Sequence, residues 1–476
     1  MYRQFGLFLD GTWRGSDAGA EIVSPVHETV IGTVPTAASE DTLAAIDSAA
    51  IAAAALRDMG GFARAEALHR VADEMAARSD EAATMISAET GKPIAQSGRE
   101  WGLAVDQFRW YAEEARRIYG RIMETRVPGG RFEVTKEPVG IAAAFTAWNF
   151  PASLPARKLA PALAAGCPVI LRPSSQTPGV AMVMVDCLRA GDLPPGAVSL
   201  LIGTTADTYG PIMADARVRK VSLTGSTRVG QQMIRDAAAT VKKVSMELGG
   251  NAPMIVYDDA DLALALEVSV PTKFANAGQV CVTPDRFFIH ESLHDAFVEG
   301  FVARAKALRL GDGLDPATDM GPLINQRRLN EVDAVVQDAL SHGATLETGG
   351  QRAPGFNEGH FYEPTVLTGV TDEMKVFAEE NFGPIAAITS FRDDDEVLAR
   401  ANASEMGLSA YAFTTSRARA RRTVDSLKAG MVGINSYALA ASEAPFGGTN
   451  HSGLGREGGP EGIEDYLDTK LAQIVI

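Results

Sequence analysis

The sequence has few cysteines, no excess of basic residues and no long apolar run. Its 476 residues include three cysteines, which are too few for a disulfide framework and fit a reducing compartment. Lys and Arg number 44 against 60 Asp and Glu, so a formal net charge of −16 disfavours nucleic acid and anionic membranes as partners. No window approaches the ~18 apolar residues of a membrane span, and the apolar run among the first residues is too short for a signal peptide. We therefore expect a cytoplasmic protein, long enough for two or three domains.

The residues that are present alternate between helical and strand-like patterns. Ala-rich helical patterns follow an N-terminal region of strands and turns that ends near Pro35. From Val139 onward, short apolar runs at 141–148, 168–171, 198–202 and 221–223 are separated by helical patterns. This alternation predicts a parallel sheet covered on both faces, and a second region of the same kind begins after Gly250. The predicted fold class is therefore α/β.

Two segments with strand patterns lie outside this alternation. Residues 121–138 alternate around Pro128-Gly129-Gly130, which predicts a β-hairpin, and residues 471–476 are strand-like. Such an arm is either exposed to solvent or paired with another subunit, because an unpaired strand edge is a site of association. We favour the second alternative and expect a homodimer or homotetramer.

One cysteine, Cys281, stands in a polar segment that contains glycine, Phe274-Ala-Asn-Ala-Gly-Gln-Val-Cys281. A thiol reacts as its thiolate, so a nucleophilic cysteine needs polar and partly exposed surroundings, which this segment offers. A buried structural thiol is the common alternative, and the segment alone leaves both alternatives open.

The ends of the predicted parallel strands carry unusual connections. Ligands of such sheets bind beyond the carboxyl ends of the strands. Those ends carry the segments Ala147-Trp-Asn-Phe-Pro151, Arg172-Pro-Ser-Ser175 and Thr224-Gly-Ser226. The spacing Gly225-x-x-x-x-Gly230 suits a phosphate cradle, although it differs from the common dinucleotide fingerprint.

Six motifs in order resemble the aldehyde dehydrogenase superfamily over nearly the whole chain. They are Ala147-Trp-Asn-Phe-Pro, Leu223-Thr-Gly-Ser, Met246-Glu-Leu-Gly-Gly-Asn, Asn276-Ala-Gly-Gln-Val-Cys, Glu379-Glu-Asn-Phe-Gly-Pro and Phe446-Gly-Gly. The ending Ser452 to Tyr466 resembles the succinate-semialdehyde dehydrogenase branch in particular.

The resemblance implies a division of the chain into domains. It implies a Rossmann-like cofactor domain in residues 1–120 and 139–246, with a parallel sheet, and a second α/β domain, the catalytic domain, in 247–440. Residues 121–138 and 467–476 are expected to form a small β oligomerisation arm. The segment 441–466 is expected to return and pack on the cofactor domain.

The resemblance also implies roles for the residues at the motif positions. Cys281 matches the nucleophile that forms a thiohemiacetal with the aldehyde, Asn149 matches the side-chain donor to its oxyanion, and Glu247 matches the general base that activates water against the thioester. A glutamate at the position of Glu247 implies a free carboxylic acid as product. No metal site is predicted.

For the cofactor, the resemblance implies a dinucleotide site. The matching positions are Trp148, Arg172, Ser175, Gly225, Ser226, Leu248, Glu380 and Phe382. Arg172 replaces the usual lysine, and Ser175 stands where many NAD-specific members have a glutamate that repels a 2′-phosphate. We therefore expect NADP to be preferred and NAD tolerated. The alternative is that Arg172 only caps the groove.

For the substrate, Arg157 and Arg286 align with arginines that hold the carboxylate of succinic semialdehyde in that branch. Either is alternatively a surface or inter-strand charge, the commoner place for arginine. The serine that binds substrate in the branch is replaced by Ala440, and Ser442 lies two residues late. A longer semialdehyde or a sulfonated aldehyde therefore competes with succinic semialdehyde. The remaining alternatives are an uncharged aldehyde and a structural relative without activity.

Overall fold

The computed structural model describes residues 2, 5–16 and 19–476. Met1, Arg3, Gln4, Asp17 and Ala18 fall in the predicted cofactor domain and lie outside the described residues. The architecture is α/β, as the sequence predicts, and is built on two large sheets with mainly parallel strands and a smaller antiparallel sheet.

The first large sheet surrounds the central strand Ile141–Phe145, which pairs in parallel with a neighbour on each side. Its spatial order is Thr12–Arg14, Leu7–Leu9, Val198–Leu200, Val169–Arg172, Ile141–Phe145, Val218–Thr224, Lys243–Glu247 and Gly453–Leu454. The chain reverses direction across the sheet between Ile141–Phe145 and Val218–Thr224. Such a switch point opens a crevice at the carboxyl ends of the two strands.

Alternate residues of the central strand enter two different cores. Ala142 and Ala144 join the core on one face, whereas Ile141, Ala143 and Phe145 join the core on the other. The strand is buried throughout, which explains its continuous run of small apolar residues.

The second large sheet is also mainly parallel and has its own core. Its spatial order is Thr345–Thr348, Thr365–Thr368, Ile385–Phe391, Pro284–His290, Ala252–Val256, Ser409–Phe413 and Met431–Ile434. Ala252–Val256 directly follows the loop that leaves the first sheet after Glu247, so one short connection joins the two sheets.

The Ala-rich helical patterns predicted after Pro35 are confirmed as helices. The last of this first group runs over Ile94–Ala115, and Pro93 takes the capping position before it. The α-helices are Ser39–Asp58, Gly60–Ala77, Ser79–Thr90, Ile94–Ala115, Ser153–Ala165, Gly179–Cys187, Gly210–Ala214, Thr227–Ala237, Leu262–Phe274, Glu291–Lys306, Gln326–Ser341, Lys375–Ala378, Asp394–Ala401, Arg417–Ser426 and Glu461–Glu464. Short 3₁₀ turns cover Leu188–Gly191, Ala238–Thr240 and Ala275–Gly278, and a π-turn covers Thr205–Tyr209.

The predicted hairpin is present, and the end of the chain pairs with it. Arg121–Glu124 and Gly130–Pro138 are antiparallel, and Leu467–Val475 pairs along the other side of Gly130–Pro138 from Leu467 opposite Pro138 to Val475 opposite Gly130. Smaller ladders join Gly19–Val23 to Val30–Pro35 and Met406–Gly407 to Thr449–Asn450.

The described part of the chain contains neither a membrane-spanning helix nor a cluster of metal ligands. No helix there combines the length and apolar character needed to cross a membrane. No group of three or more His, Cys, Asp or Glu side chains there is arranged to hold a metal ion.

Candidate active site

A strained turn presents Cys281. The 3₁₀ turn Ala275–Gly278 has left-handed φ angles of 48°, 54° and 73° at residues 276–278. A β-carbon on Gly278 would lie 2.0 Å from the carbonyl oxygen of Gly383, so only glycine fits there. Such backbone is costly and clusters at functional sites. The turn leaves the thiol of Cys281 outside any disulfide and partly exposed.

The side chain of Gln279 fixes this turn. Its Nε2 donates to the carbonyl of Asn276 at 2.9 Å, and its Oε1 accepts from the backbone N–H of Ile324 at 3.0 Å. Its own carbonyl accepts a hydrogen bond from Nδ2 of Asn149 at 3.1 Å. The turn that carries the thiol is therefore tied to the side chain of Asn149.

Asn149 follows the central strand of the first sheet, and a buried ion pair holds its backbone. Nζ of Lys92 donates to the carbonyl of Asn149 at 2.9 Å and is paired with Glu100. Oε1 of Glu100 accepts from the backbone N–H of Ala152 at 2.8 Å. The sequence analysis did not identify Lys92 or Glu100. In the sequence, Lys92 is only a lysine beside a helix start. Its position indicates a structural role once its burial is known.

One cleft brings most of the predicted site residues together. It lies at the switch point of the first sheet. The predicted residues that line it are Trp148, Asn149, Gly225, Ser226, Leu248, Cys281, Glu380 and Phe382. Arg172 lines a neighbouring cavity. Ser175 is exposed in the turn after the strand Val169–Arg172.

The glycines near the cleft permit close approach. A β-carbon on Gly249 would lie 2.7 Å from Oε2 of Glu380, and one on Gly250 would lie 2.4 Å from the carbonyl oxygen of Cys281. The second α/β region begins after this Gly-Gly pair. Two groups that border the thiol therefore require glycine at both positions.

Glu247 ends the strand Lys243–Glu247 and is buried. Neither carboxylate oxygen has a hydrogen-bond partner among the described residues. Burial raises the pKa of Glu247 well above its usual value, the nearby carboxylate of Glu457 raises it further, and Lys158 opposes both. Glu247 therefore takes up a proton more readily than an exposed glutamate, which suits a general base.

Lys158 and Glu457 form a buried pair behind Glu247. Nζ of Lys158 contacts the carboxylate of Glu457 and donates to Oγ of Ser222 at 3.0 Å. The sequence analysis missed both residues. Lys158 lies in the helix Ser153–Ala165, which is buried on every side, and a lysine within such an apolar run requires a partner.

The surroundings of Cys281 favour the protonated thiol over the thiolate. Removal from water raises the pKa of Cys281 to about 12, and the carboxylates of Glu380 and Glu247 add to the rise. Burial likewise raises the pKa of Glu380 to about 7. Formation of the thiolate therefore requires a nearby group that accepts its proton.

Arg157 lies within electrostatic reach of the thiol. Its charge lowers the pKa of both Cys281 and Glu247. Nη2 donates to the carbonyl of Ala440 at 3.1 Å, and the guanidinium lies 4.6 Å from the centre of the Phe446 ring. Nη1 is buried and has no hydrogen-bond partner among the described residues. This atom is the free donor that an anionic ligand needs.

Arg286 does not meet the expectation that it faces the substrate. Its guanidinium donates to three backbone carbonyls, those of Asn251, Arg400 and Ala401, at 3.1, 3.2 and 2.9 Å. The side chain is buried on the strand Pro284–His290 and joins neighbouring segments of the second sheet. Arg286 is an inter-strand residue with its donors engaged, which is the alternative stated above.

Comparisons with known proteins agree with this architecture. The model of the aldehyde dehydrogenase family matches residues 13–472. The chain is 43% identical to a non-phosphorylating aspartate-semialdehyde dehydrogenase of Halomonas elongata, over 99% of this chain and 95% of that protein. It is 40% identical to the NADP(+) succinate-semialdehyde dehydrogenase of Escherichia coli, over 99% and 97% of the two chains.

Solved structures give the same result. The crystal structure of succinate-semialdehyde dehydrogenase from Burkholderia pseudomallei superposes with a TM-score of 0.97 and 41% identity, covering 99% of this chain and 98% of that one. The family model, the sequence relatives and this fold together show that the chain belongs to the aldehyde dehydrogenase family.

Proposed function

We propose that this protein oxidises a small aldehyde with a distal acidic group, such as succinic semialdehyde, to the carboxylic acid, with NADP preferred over NAD. The observation that carries the proposal is the common cleft of Cys281 and Asn149, with the unpartnered carboxylate of Glu247 close enough to raise the pKa of the thiol. Relatives named for acidic semialdehydes support the substrate class.

In this proposal, Cys281 is the nucleophile. The thiol loses its proton to a carboxylate beside it, and the sulfur attacks the aldehyde carbon to give a thiohemiacetal. Asn149 holds the developing oxyanion together with the backbone N–H of Cys281. One N–H of the amide donates to the carbonyl of Gln279, which fixes its direction and leaves the other N–H for the oxyanion.

The cleft fits a nicotinamide dinucleotide. The helix Thr227–Ala237 begins there after Gly225 and Ser226, and the backbone N–H groups at a helix start suit a pyrophosphate. Trp148 and Phe382 meet edge to face at 5.6 Å beside it and offer an aromatic wall. A bound nicotinamide would supply the acceptor for the hydride that leaves the thiohemiacetal carbon, and the thioester would remain on Cys281.

Glu247 completes the reaction. Its raised pKa lets it take a proton from water that attacks the thioester, and the carbonyl carbon then leaves Cys281 as a free acid. The pair of Lys158 and Glu457 behind it sets the proton affinity of this base.

Arg157 is the proposed partner of the distal acidic group. Its Nη1 is a buried donor without a partner, which is costly unless a ligand satisfies it. Arg172 supports NADP because, among the described residues, its guanidinium makes a single hydrogen bond, to the carbonyl of Gly203 at 3.0 Å, and lines the cavity next to the cleft.

We also place the protein in a reducing compartment, the cytoplasm, and propose that it assembles through its arm. Three free thiols support the first point. The strand Leu467–Val475 is paired on one side by Gly130–Pro138, and it ends the sheet order, which supports the second.

The test compares succinic semialdehyde with butanal, each with NADP and with NAD. We expect kcat/KM for succinic semialdehyde to exceed that for butanal, and Arg157→Met to lower the ratio of these two kcat/KM values by about 10- to 100-fold, the worth of a hydrogen bond to a charged group. Equal efficiency of the wild type on both aldehydes would refute the acidic-substrate proposal.

A matched control is Arg64→Met. Arg64 is also a buried arginine, and it donates to the carbonyl of Ala164 at 2.9 Å. Ala164 lies at the far end of the helix that contains Arg157. Its loss lowers stability and leaves the ratio between the two aldehydes unchanged.

A further inference from the structure

The cavity next to the cleft is cationic in an otherwise acidic protein. It lies beyond the carboxyl ends of the central strand and of Val218–Thr224, and Phe145 and Leu223 form part of its wall. Arg172, Arg228 and Arg235 line it, whereas none of its lining residues in the described chain is Asp or Glu. Three like charges around one cavity repel one another unless an anion joins them.

The nearest carboxylate on the same helix is engaged elsewhere. Asp236 accepts hydrogen bonds from the hydroxyl of Tyr209 at 2.5 Å and from Nε2 of Gln232 at 2.8 Å. Asp207, on the neighbouring π-turn, accepts from the hydroxyls of Ser39 and Thr204. Within the described residues, neither acid forms an ion pair with an arginine of the cavity.

The three arginines differ in how the protein supports them. Arg172 donates to the carbonyl of Gly203, and Arg235 donates to Oε1 of Gln232 at 3.2 Å from the last turn of the helix Thr227–Ala237. A cation in the last turn of a helix is favoured by the helix dipole, so Arg235 has a structural reason to be there.

Arg228 has no such support. It is exposed, and within the described residues it makes no hydrogen bond or ion pair. It is the second residue of the same helix, where the dipole disfavours a cation and favours an anion. An anion held between Arg228 and Arg172 would remove both the repulsion and the conflict with the dipole.

We propose that Arg228 is a second specificity-determining residue, which with Arg172 grips a phosphomonoester on the ribose of an adenosine dinucleotide. A phosphate dianion accepts paired hydrogen bonds from two planar guanidinium groups, and a ribose hydroxyl offers neither the charge nor the acceptors. The inference rests on the proposed function only in taking this cavity as the adenosine end of the cofactor site.

The test measures binding to the full-length protein by isothermal titration calorimetry, without turnover. The two probes are adenosine 2′,5′-bisphosphate and adenosine 5′-monophosphate. We expect Arg228→Gln to weaken the bisphosphate by about 10- to 100-fold, as for a lost hydrogen bond to a charged group, and the monophosphate by less than about 2-fold. The same variant should raise the KM for NADP and leave kcat unchanged.

Arg235→Gln is the matched control, since it makes the same charge change on the same helix and in the same cavity. We expect it to leave the ratio of the two affinities within about 2-fold of the wild type, because its guanidinium is already held by Gln232. An equal loss in both arginine variants would mean that only the general field of the cavity matters, and would overturn the assignment to Arg228.

The remaining outcomes separate this inference from the cofactor proposal. One outcome is that the wild type prefers the bisphosphate and Arg228→Gln binds both probes with wild-type affinity. This outcome contradicts the role of Arg228 and leaves the NADP preference in place. Equal loss of both probes in Arg228→Gln also contradicts it, because Arg228 would then serve the 5′-phosphate. A wild type that binds the two probes equally contradicts the NADP preference itself.

Discussion

Each reactive side chain of the site depends on supporting neighbours, most of which the six motifs do not contain. Gln279 and the buried pair of Lys92 and Glu100 hold the loops of Cys281 and Asn149. The pair of Lys158 and Glu457 lies behind Glu247. These supporting charges are buried, so each one is satisfied by the other rather than by water. The chemistry of Cys281, Asn149 and Glu247 therefore depends on partners that are distant in sequence.

The pH dependence of turnover tests this coupling at Glu247. Glu457 raises the pKa of Glu247 more than Lys158 lowers it. Glu457→Gln keeps an acceptor for Lys158 and removes the negative charge, so the pKa of Glu247 falls whether or not Lys158 keeps its proton. Because the base acts when deprotonated, the acidic limb of the kcat profile should move to lower pH.

The matched control for this variant is Glu464→Gln, an exposed residue of the same C-terminal region that pairs with Lys136. Its profile should superpose on that of the wild type. An acidic limb of Glu457→Gln that stays in place or moves to higher pH would show that Glu457 does not set the proton affinity of the base.

At the scale of elements, the sequence predicts the turn before Cys281 better than it predicts the side-chain directions of the strand after it. Glycine in the turn was visible in the sequence, and the structure gives its reason in the close carbonyl of Gly383. The strand Pro284–His290 was harder, because successive side chains of a strand point to opposite faces. Spacing from the nucleophile therefore did not reveal that Arg286 points away from the cleft.

Gly278→Ala tests the turn. A methyl group would meet the carbonyl oxygen of Gly383 at 2.0 Å, and the φ of 73° is strained for alanine. The backbone must shift, and we expect kcat/KM to fall by at least about 100-fold, as for a misplaced reacting group. The measurement is steady-state kinetics together with the melting temperature.

Gly102→Ala is the control for that variant. Gly102 lies within the helix Ile94–Ala115, and nothing lies within 4 Å of an added β-carbon. Alanine there should increase the free energy of unfolding by about 0.5–1 kcal/mol and leave activity unchanged. Wild-type kcat/KM in Gly278→Ala would contradict the role assigned to the turn.

At the scale of the whole molecule, the sequence predicted the α/β class, the parallel strands and the hairpin, because those depend on local periodicity. It did not predict the ion pair of Lys158 and Glu457, whose members are 299 positions apart. The resemblance to a family supplied Cys281, Asn149 and Glu247. Apart from Gln279, their supporting residues lie outside the six motifs, and burial identified them.

The arm is the part of the molecule that we propose contacts another subunit. Met123, Leu471 and Val475 are apolar and 37%, 60% and 56% exposed, and the strand register places all three on one face of the arm. Large apolar side chains grouped on one small sheet mark an interaction surface. We expect Leu471→Lys to shift the protein to a smaller species in size-exclusion chromatography with light scattering.

The control is Ile51→Lys, an apolar residue that is 80% exposed on the helix Ser39–Asp58, away from the arm. It should leave the mass of the assembly unchanged. A wild type that is monomeric at micromolar concentration would overturn the proposal that the arm joins subunits.

The most direct test of the central claim is the fate of Cys281 in Glu247→Gln. With aldehyde and dinucleotide present, this variant should give one burst of reduced cofactor and then stall as a thioester. Mass spectrometry of the quenched and digested protein should find the acyl group on Cys281, with Cys167 and Cys187 unmodified, and Cys281→Ala should give neither burst nor adduct. Steady turnover of Glu247→Gln at the wild-type rate, or an acyl group on another cysteine, would contradict the account.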